Sequence, residues 1–155
     1  MNIKIDELNA EILKCLQLNS RMSFTEIGRK VGLTSPAVAE RVKKMEDGGV
    51  IQQYTAQVSH AKLGYQLKAI ITLRAFVGKL RPFLDKVDTF KEVVNCYRIT
   101  GNENIIMEVI IEDQHHLEAF IDRLISYGET RTHIVLSDII SNAPVLTTKK
   151  VKRAI

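Results

Sequence analysis

The sequence predicts an α+β fold in which a helical N-terminal third precedes a sheet domain of β-α-β-β-α-β order. Apolar residues recur at helical spacing in three short stretches before residue 50, each between start and stop signals. Later in the chain, apolar runs of strand length interleave with two more helical stripes. The 155 residues, 45% apolar and 26% charged, are ordinary globular usage for one domain or two small ones. Disordered and fibrous classes are therefore excluded.

Simple features of the sequence argue against three further classes. The longest near-continuous apolar run, Ile105–Ile111, is interrupted by Glu108 and falls far short of the ~20 residues of a membrane-spanning helix. The N-terminus carries charges where a signal peptide needs an apolar core. Two cysteines, Cys15 and Cys96, are too few for a disulfide framework or a four-ligand zinc site. We therefore expect no membrane partner and a reducing, cytoplasmic setting.

The first helix is predicted from one apolar stripe. Asp6 is its expected N-cap, and Asn19-Ser20 ends it. The stripe consists of Ile5, Leu8, Ile12, Cys15 and Leu16.

The second helix has a complete start signal. Ser23 and Glu26 have the spacing of a capping box, in which each side chain binds the backbone N–H of the other residue. Met22 and Ile27 stand where a hydrophobic staple would place them. Gly32 is predicted to end the helix.

The third helix is predicted to begin almost at once. Ser35 is its expected N-cap, Pro36 its first helical residue and Gly48-Gly49 its end. The inward stripe is Val38, Val42 and Met45. Two short helices joined by residues 32–34 have the sequence form of a helix-turn-helix.

The second helix of such a motif meets base edges in the major groove with its N-terminal residues. Residues 35–37 are small, so this end can approach bases closely, and Arg41, Lys43 and Lys44 can reach phosphates or guanine edges. Residues 20–44 carry six cations against two acids, although residues 1–53 carry only eight against seven. These features favour DNA binding. The alternative is a plain three-helix bundle with a charged solvent face.

A strand and a linker are expected after this bundle. Tyr54, Ala56 and Val58 alternate with polar residues, which is typical of a strand and could form a rudimentary wing. Residues 59–64 have the composition of a linker or hinge.

The remaining two-thirds predicts four strands and two helices. Apolar residues occupy every second position over 67–77 in the first strand, which Gly78 ends. Apolar stripes over 80–87 and 117–125 predict the helices, the second ended by Gly128. The other strands are predicted at 93–99, 105–111 and 132–140. This is the order of the ferredoxin-like fold, in which two helices cover one face of an antiparallel sheet.

Several strands are apolar on both faces. Ile70 and Phe76 interrupt the polar side of the first strand, and Ile106 and Ile110 that of the third. An uncovered apolar face larger than roughly a few hundred Å² is usually an interface. We therefore expect at least a dimer through the sheet. The alternative is a face assignment that is wrong by one residue.

The chain resembles the Lrp/AsnC (leucine-responsive, feast/famine) family of transcription regulators over residues 3–145. The combination of motifs is specific, although each short piece is not. The N-terminal motifs are Ile5-Asp6-x-x-Asn9-x-x-Ile12-Leu13, Asn19-Ser20-Arg21-Met22-Ser23, Glu26-Ile27-Gly28-x-x-Val31-Gly32-Leu33-Thr34-Ser35-Pro36 and Val38-x-x-Arg41-Val42-Lys43-x-Met45-Glu46-x-Gly48-Gly49-Val50-Ile51. The later ones are Tyr54, Leu63-Gly64 and Cys96-Tyr97-Arg98-Ile99-Thr100-Gly101.

The resemblance implies the domain organisation. A winged helix-turn-helix would occupy residues 1–53, a linker or hinge strand 54–64, a ferredoxin-like ligand-binding and oligomerisation domain 65–145, and a basic tail 146–155. Family members pair as dimers through their sheets and often assemble into octamers. We accordingly expect a homodimer that assembles further, located in the cytoplasm and associated with the nucleoid.

The resemblance also implies two sets of site residues. Double-stranded DNA would contact Thr25, Thr34, Ser35, Pro36, Ala37, Glu40, Arg41, Lys43 and Lys44. An amino-acid effector would bind between dimers, near a loop formed by Thr100, Gly101, Asn102, Glu103 and Asn104. The family often has aspartates where this chain has Asn102 and Asn104, so the carboxylates that would hold an ammonium group are partly missing. Glu103 is the expected substitute.

Catalytic and metal chemistry is not expected, and neither is a cofactor. No nucleophile elbow, phosphate loop or zinc-ligand spacing occurs in the sequence. His115-His116 are adjacent on a predicted helix and do not face one another, so surface or capping roles are expected of them.

Three hypotheses about function follow. The leading one is a sequence-specific, effector-modulated transcription regulator. The second is an architectural, DNA-wrapping nucleoid protein without an effector. The third is an enzyme or amino-acid-sensing module whose helices only dimerise. Two roles are open for the tail Lys149–Arg153, which either adds non-specific phosphate contacts or is a solvated end.

Overall fold

The computed structural model describes residues 5–147. These residues form two compact units. One contains the chain up to Ala56 together with residues 140–147, and the other contains Gln57–Ile139. The division differs from the expected one at its C-terminal end, because the segment after Ile139 groups with the helices rather than with the sheet. None of the helices within residues 5–147 is long and apolar enough to cross a bilayer.

The helical unit contains three helices, α1 (Glu7–Leu18), α2 (Phe24–Val31) and α3 (Ser35–Asp47). The predicted stripes meet in its core, which confirms the three-helix prediction. Burying these side chains against one another is the main force that holds such short helices. The core side chains are Ile12, Leu16, Ile27, Val38, Val42 and Met45.

The predicted start signals of α1 and α2 are confirmed. The Asp6 carboxylate accepts a hydrogen bond from the backbone N–H of Asn9 at 2.7 Å. The backbone N–H of Glu26 donates to the Ser23 hydroxyl at 3.2 Å, and that of Ser23 donates to the Glu26 carboxylate at 2.8 Å. These bonds satisfy N–H groups that the first helical turn leaves without partners. Gly32 ends α2 with a positive φ of 72°.

The predicted N-cap of α3 was wrong by one residue. Thr34 is the cap, with an extended backbone, and its hydroxyl accepts from the backbone N–H of Ala37 at 3.4 Å. Ser35 is therefore the first helical residue and Pro36 the second. Proline is tolerated there because the N–H groups of the whole first turn lack intrahelical acceptors.

The predicted strand around Tyr54, Ala56 and Val58 is absent from the described chain, which has no regular structure between residues 52 and 59. Alternation alone does not make a strand, because each backbone N–H and C=O needs a neighbouring strand to bind. No described strand pairs with this segment. The linker that follows forms one short 3-10 turn, Ala61–Leu63.

The second unit has the predicted order, which confirms the ferredoxin-like topology. Its elements are β1 (Leu67–Ala75), α4 (Leu80–Leu84), β2 (Val93–Arg98), β3 (Ile105–Ile111), α5 (Gln114–Leu124) and β4 (Gly128–Ile134). The sheet order is β2-β3-β1-β4, with every pair antiparallel. The core lies between one face of the sheet and the helices. It includes Ala69, Ile71, Leu73, Phe83, Phe90, Ile105, Met107, Val109, Ile111, Phe120 and Leu124.

Two elements of this unit differ from prediction by more than a residue or two at a boundary. The stripe over 80–87 is not one helix, because α4 stops at Leu84 and a separate 3-10 turn follows at Val87–Thr89. The last strand runs over Gly128–Ile134 rather than 132–140. Gly128 thus begins a strand instead of ending a helix. A Cβ on it would lie 2.3 Å from the carbonyl oxygen of Arg74, so only glycine lets the two strands approach.

The helices of this unit, α4 and α5, pack on the core face of the sheet and leave the other face open within the unit. Ile70, Thr72 and Ile106 are half-buried there, while Ile110 is buried. The Lys68 ammonium bridges the carboxylates of Glu108 at 2.6 Å and Asp138 at 2.9 Å at one side of this face.

Candidate functional site

The first turn of α3 presents a narrow surface of small side chains. Thr34 and Pro36 are exposed, and Ser35 and Ala37 are half-buried. Because the side chains of this turn are short, a flat or grooved partner can approach the helix backbone closely. The geometry agrees with that expected of the base-reading end of a helix-turn-helix.

The turn between α2 and α3 is set by Gly28, whose packing role was not foreseen from the sequence. A Cβ on Gly28 would lie 2.4 Å from the carbonyl oxygen of Leu33. The backbone N–H of Leu33 donates to the carbonyl of Gly28 at 2.9 Å. The available signal was a glycine inside a short helix, which costs helix stability and usually has a packing reason when it occurs.

Arg41 does not share the exposed surface of the other predicted cations. One guanidinium nitrogen donates to the Asp6 carboxylate at 2.7 Å and to the Asn9 side-chain oxygen at 2.9 Å. Its side chain is 30% exposed, and Asn9 is buried. Arg41 therefore links α3 to the start of α1.

The remaining predicted DNA contacts are exposed. Lys43 and Lys44 lie on the solvent side of α3, and Thr25 lies at the second position of α2. The Lys44 ammonium is 2.6 Å from the Glu40 carboxylate. The hydrogen bond from Lys44, followed by its charge, lowers the pKa of Glu40 from its usual value. Lys43 and Lys44 therefore face solvent, with Glu40 partly offsetting the charge of Lys44.

The candidate effector loop divides into a fixed half and an exposed half. The Asn104 side-chain oxygen accepts from the backbone N–H of Ala75 at 2.8 Å, and the backbone N–H of Asn104 donates to the carbonyl of Leu73 at 2.9 Å. Glu103 is 3.3 Å from the Arg131 guanidinium. Thr100, Gly101 and Asn102 are exposed.

A buried polar cluster in the sheet unit was not foreseen. The carboxylate of Glu92 is buried and accepts from Nε2 of His116 at 3.0 Å and from the guanidinium of Arg123. Burial raises the pKa of Glu92, but hydrogen bonds from His116, its own backbone and Arg123 outweigh burial and lower that pKa overall. Asp113 is the N-cap of α5, and its carboxylate accepts a hydrogen bond from the backbone N–H of His116 at 2.8 Å. No cluster of metal-ligating side chains occurs among residues 5–147.

Both units match family models. The model of the AsnC-type helix-turn-helix domain matches residues 5–46, and that of the Lrp/AsnC ligand binding domain matches residues 68–145. Together the two matches cover most of the chain.

Curated relatives and solved structures agree with these matches. The chain is 33% identical over 137 residues to the transcriptional regulator LrpC of Bacillus subtilis, which covers 88% of this chain and 95% of LrpC. The structure of that LrpC superposes with a TM-score of 0.85 at 32% identity, over 90% of this chain and 99% of LrpC. Escherichia coli AsnC superposes with a TM-score of 0.80 at 27% identity, over 90% of this chain and 97% of AsnC.

A third structure carries a ligand. A Neisseria meningitidis transcriptional regulator, solved as a complex with L-Met, superposes with a TM-score of 0.87 at 26% identity, over 92% of this chain and 96% of that protein. The relatives are named as transcriptional regulators rather than enzymes. Because its helix-turn-helix and its sheet unit both match models of this family, the chain belongs to the Lrp/AsnC family of DNA-binding transcriptional regulators.

Proposed function

We propose that this regulator reads specific sequences in duplex DNA through the first turn of α3, with Lys43 and Lys44 positioned against phosphates. The observation that carries the proposal is the exposed, small-residue turn of Thr34 and Pro36 beside those two lysines. Base edges are reached only where the helix backbone comes close, and phosphate contacts then set the register. Thr25 and Glu40 belong to the same proposed surface. The site of action is chromosomal DNA, which corresponds to a nucleoid-associated protein of the cytoplasm.

The contact residues can be tested without disturbing the fold. Pro36→Glu places a charge and bulk on the proposed DNA-facing turn, yet glutamate in the first turn of a helix favours helix formation. We expect specific binding in a gel-shift titration to be lost. Gln114→Glu makes the same change of charge in the first turn of α5 and should leave binding unchanged. Wild-type affinity for Pro36→Glu would refute this surface.

For the lysines we expect a different effect on DNA binding, one that does not depend on the DNA sequence. Lys43→Gln should weaken binding to specific and unspecific duplexes by similar factors and reduce the salt dependence by about one phosphate contact, a slope change of about 0.9. Lys14→Gln removes another exposed charge, on α1, and serves as the matched control. If both variants have the same salt slope, Lys43 does not contact a phosphate and is not part of the DNA interface.

We propose an amino acid or similar small molecule as effector at the exposed half of the loop after β2. Support comes from the match to a ligand-binding domain and from the N. meningitidis relative solved with L-Met. In this chain Asn104 holds the loop to β1 and Glu103 pairs with Arg131, so Thr100, Gly101 and Asn102 are the residues available to a ligand. Calorimetric titration with a panel of amino acids tests this. Absence of heat with every member would favour effector-free, architectural DNA binding.

We also propose that a second copy covers the open face of the sheet, giving a dimer that assembles toward an octamer. The half-buried Ile70 and Ile106, and the resemblance to the family, support this. Ile70→Glu should reduce the mass measured by light scattering, whereas Thr25→Glu, on the helical unit, should not. An unchanged mass for Ile70→Glu would place the interface elsewhere.

A further inference from the structure

The helical unit contains a surface cavity that the proposed DNA contacts do not use. The cavity has a volume of about 360 Å³, and four of its lining side chains are large and apolar or aromatic. Leu16 is buried and Met22 half-buried, whereas Phe24 and Tyr54 are 38% and 49% exposed. Concave sites of this size, with mostly apolar walls and a few polar groups, are typical of small-molecule binding. The two exposed rings are therefore surface that a small ligand can cover.

Two chain reversals form this cavity. One side comes from the short connection 19–23 between α1 and α2. The other side comes from the end of α3 and the segment that follows it. There the backbone N–H groups of Val50 and Ile51 donate to the carbonyl oxygen of Met45 at 2.8 and 3.1 Å, and they reverse the chain at the end of the helix. This reversal brings Tyr54 to the cavity, although Tyr54 belongs to no strand.

A tyrosine and a glutamate supply the polar part of the lining. The Tyr54 hydroxyl donates to Oε1 of Glu46 at 2.8 Å. Burial, followed by the hydrogen bond to Glu46 and the charge of Glu46, raises the pKa of Tyr54 to about 12. The hydroxyl therefore stays protonated at neutral pH and continues to donate. Since a carboxylate accepts several hydrogen bonds, the bond from Tyr54 leaves Glu46 able to accept another from a ligand.

The charge of the lining favours a cation. None of the seven lining residues is basic, and Glu46 contributes a negative charge. The positive end of the α2 dipole lies near Ser23, but the Glu26 carboxylate offsets it by accepting from the backbone N–H and the hydroxyl of Ser23 at 2.8 and 2.7 Å. Aromatic rings such as those of Phe24 and Tyr54 also attract cations to their faces. A phosphate or a carboxylate would instead be repelled by Glu46.

We propose that this cavity binds a small organic ammonium ion, whose apolar body contacts Phe24 and Tyr54 and whose ammonium group pairs with Glu46. The ligand class is an amine without an acid group, which separates it from DNA phosphates and from an amino acid. The site belongs to the helical unit, whereas the proposed effector loop belongs to the sheet unit. Binding here requires neither DNA nor an amino acid, so the proposal goes beyond the function proposed above and does not depend on it.

Methionine-methyl NMR of the full chain tests the site. With ¹³C-methyl methionine, the signal of Met22 reports on the cavity, and that of Met107, in the core of the sheet unit, is the internal reference. We expect 2-phenylethylammonium to shift the Met22 signal saturably, with a Kd of about 0.5–10 mM for a ligand of about nine non-hydrogen atoms. The Met107 signal should not move.

Two probes of similar shape test the charge preference. In 2-phenylethanol a hydroxyl replaces the ammonium group, and in L-phenylalanine a carboxylate is added beside it. We expect both to bind at least about fivefold more weakly than 2-phenylethylammonium when followed at Met22, because one loses the ion pair with Glu46 and the other is repelled by it. Equal affinity for 2-phenylethanol would overturn the assignment of the cavity to ammonium ions.

A matched pair of variants tests Glu46. Glu46→Gln removes the charge but keeps an oxygen that can accept from the Tyr54 hydroxyl, and we expect it to weaken 2-phenylethylammonium binding at least about fivefold. Glu11→Gln removes an exposed charge from α1 that does not line the cavity and should bind as the wild type does. A wild-type circular dichroism spectrum establishes that each variant is folded.

The outcomes separate this proposal from the proposed function. Absence of a saturable shift at Met22 with 2-phenylethylammonium overturns the site. Wild-type affinity in Glu46→Gln, or an equal loss in Glu11→Gln, would show that the lining carboxylate does not recognise the ligand and would equally overturn the proposal. Gel-shift titration of DNA by the same protein is an independent measurement, and only its failure would refute the proposed DNA binding.

Discussion

Arg41 and Asp6 form an ion pair of 2.7 Å that joins the recognition helix α3 to the N-cap of α1. The same guanidinium nitrogen reaches the buried Asn9 at 2.9 Å, and Asp6 also accepts from the backbone N–H of Asn9. One carboxylate therefore caps α1 and holds α3 at the same time. By charge and position in the sequence Arg41 was a predicted DNA contact, but its guanidinium is already bound inside the helical unit.

We therefore expect Arg41→Ala to lower the free energy of unfolding by about 1–2 kcal/mol, because it leaves Asn9 and Asp6 without this donor while the partial exposure of the pair limits the loss. Urea denaturation measures the change. Lys44→Ala removes an exposed ion pair on the same helix and should leave the unfolding midpoint unchanged. An unchanged midpoint in Arg41→Ala, together with a large loss of DNA affinity, would return Arg41 to the DNA-binding surface.

Gly28 packs closely against the turn before α3. A glycine-to-alanine change there is therefore expected to lower the free energy of unfolding, whereas the same change in most helices raises it. In an unhindered helix interior this substitution stabilises by about 0.4–1 kcal/mol. Here the new Cβ would lie 2.4 Å from the Leu33 carbonyl oxygen, which is backbone and cannot rotate away. We expect Gly28→Ala to destabilise by about 1–3 kcal/mol in urea denaturation. Thr25→Ala, on the exposed side of α2, should stay within about 0.5 kcal/mol of wild type, and a stabilised Gly28→Ala would contradict the proposed role of this contact.

Elements whose signals are local were predictable from the sequence. The capping box of Ser23 and Glu26 requires only residues three apart, and the stripes around Ile12 and Val42 follow from helical period. The β-α-β-β-α-β order of elements followed in part from the alternation of apolar residues in β1 and from the continuous apolar run of β3. The cap at Thr34 was missed because Ser35 and Thr34 are both good caps, and only the backbone angles decide between them.

Features that depend on distant partners were not predictable in this way. The pairing of Arg41 with Asp6 spans 35 residues, and that of Gln17 with Val145 spans 128. The expected strand at Tyr54 had the right pattern but has no neighbouring strand in the described chain. Within the candidate effector loop the sequence located Asn104, but only the structure shows that its side chain is bound to the end of β1.

That bond predicts different consequences for two neighbouring asparagines. Asn104→Ala leaves the Ala75 N–H without its acceptor, and we expect a loss of about 1–3 kcal/mol in unfolding free energy. Asn104→Asp keeps an acceptor oxygen and should recover most of the stability. Asn102→Ala, at the exposed part of the loop, should leave stability unchanged and alter only effector binding. Thermal denaturation and calorimetry separate the two effects, and equal stability of all three variants would show that the Asn104 bond does not hold the loop.

The buried carboxylate of Glu92 makes the stability of the protein depend on acidic pH. Burial raises the pKa of Glu92, but hydrogen bonds from His116, from its own backbone and from Arg123 together hold that pKa below 4.5 in the folded protein. A carboxyl whose pKa is lowered on folding stabilises the protein fully at pH values above its unfolded pKa. That stabilisation is lost as the pH falls through the lower folded value.

Glu92→Gln should therefore be less stable than wild type at neutral pH, and the difference should shrink as the solution is acidified below pH 4.5. Urea midpoints measured from neutral to acidic pH test this. Glu118→Gln, which neutralises an exposed glutamate on α5, should follow the wild-type curve. A difference between wild type and Glu92→Gln that stays constant across the acid range would mean that the cluster stabilises the fold by shape and not by the charge of Glu92.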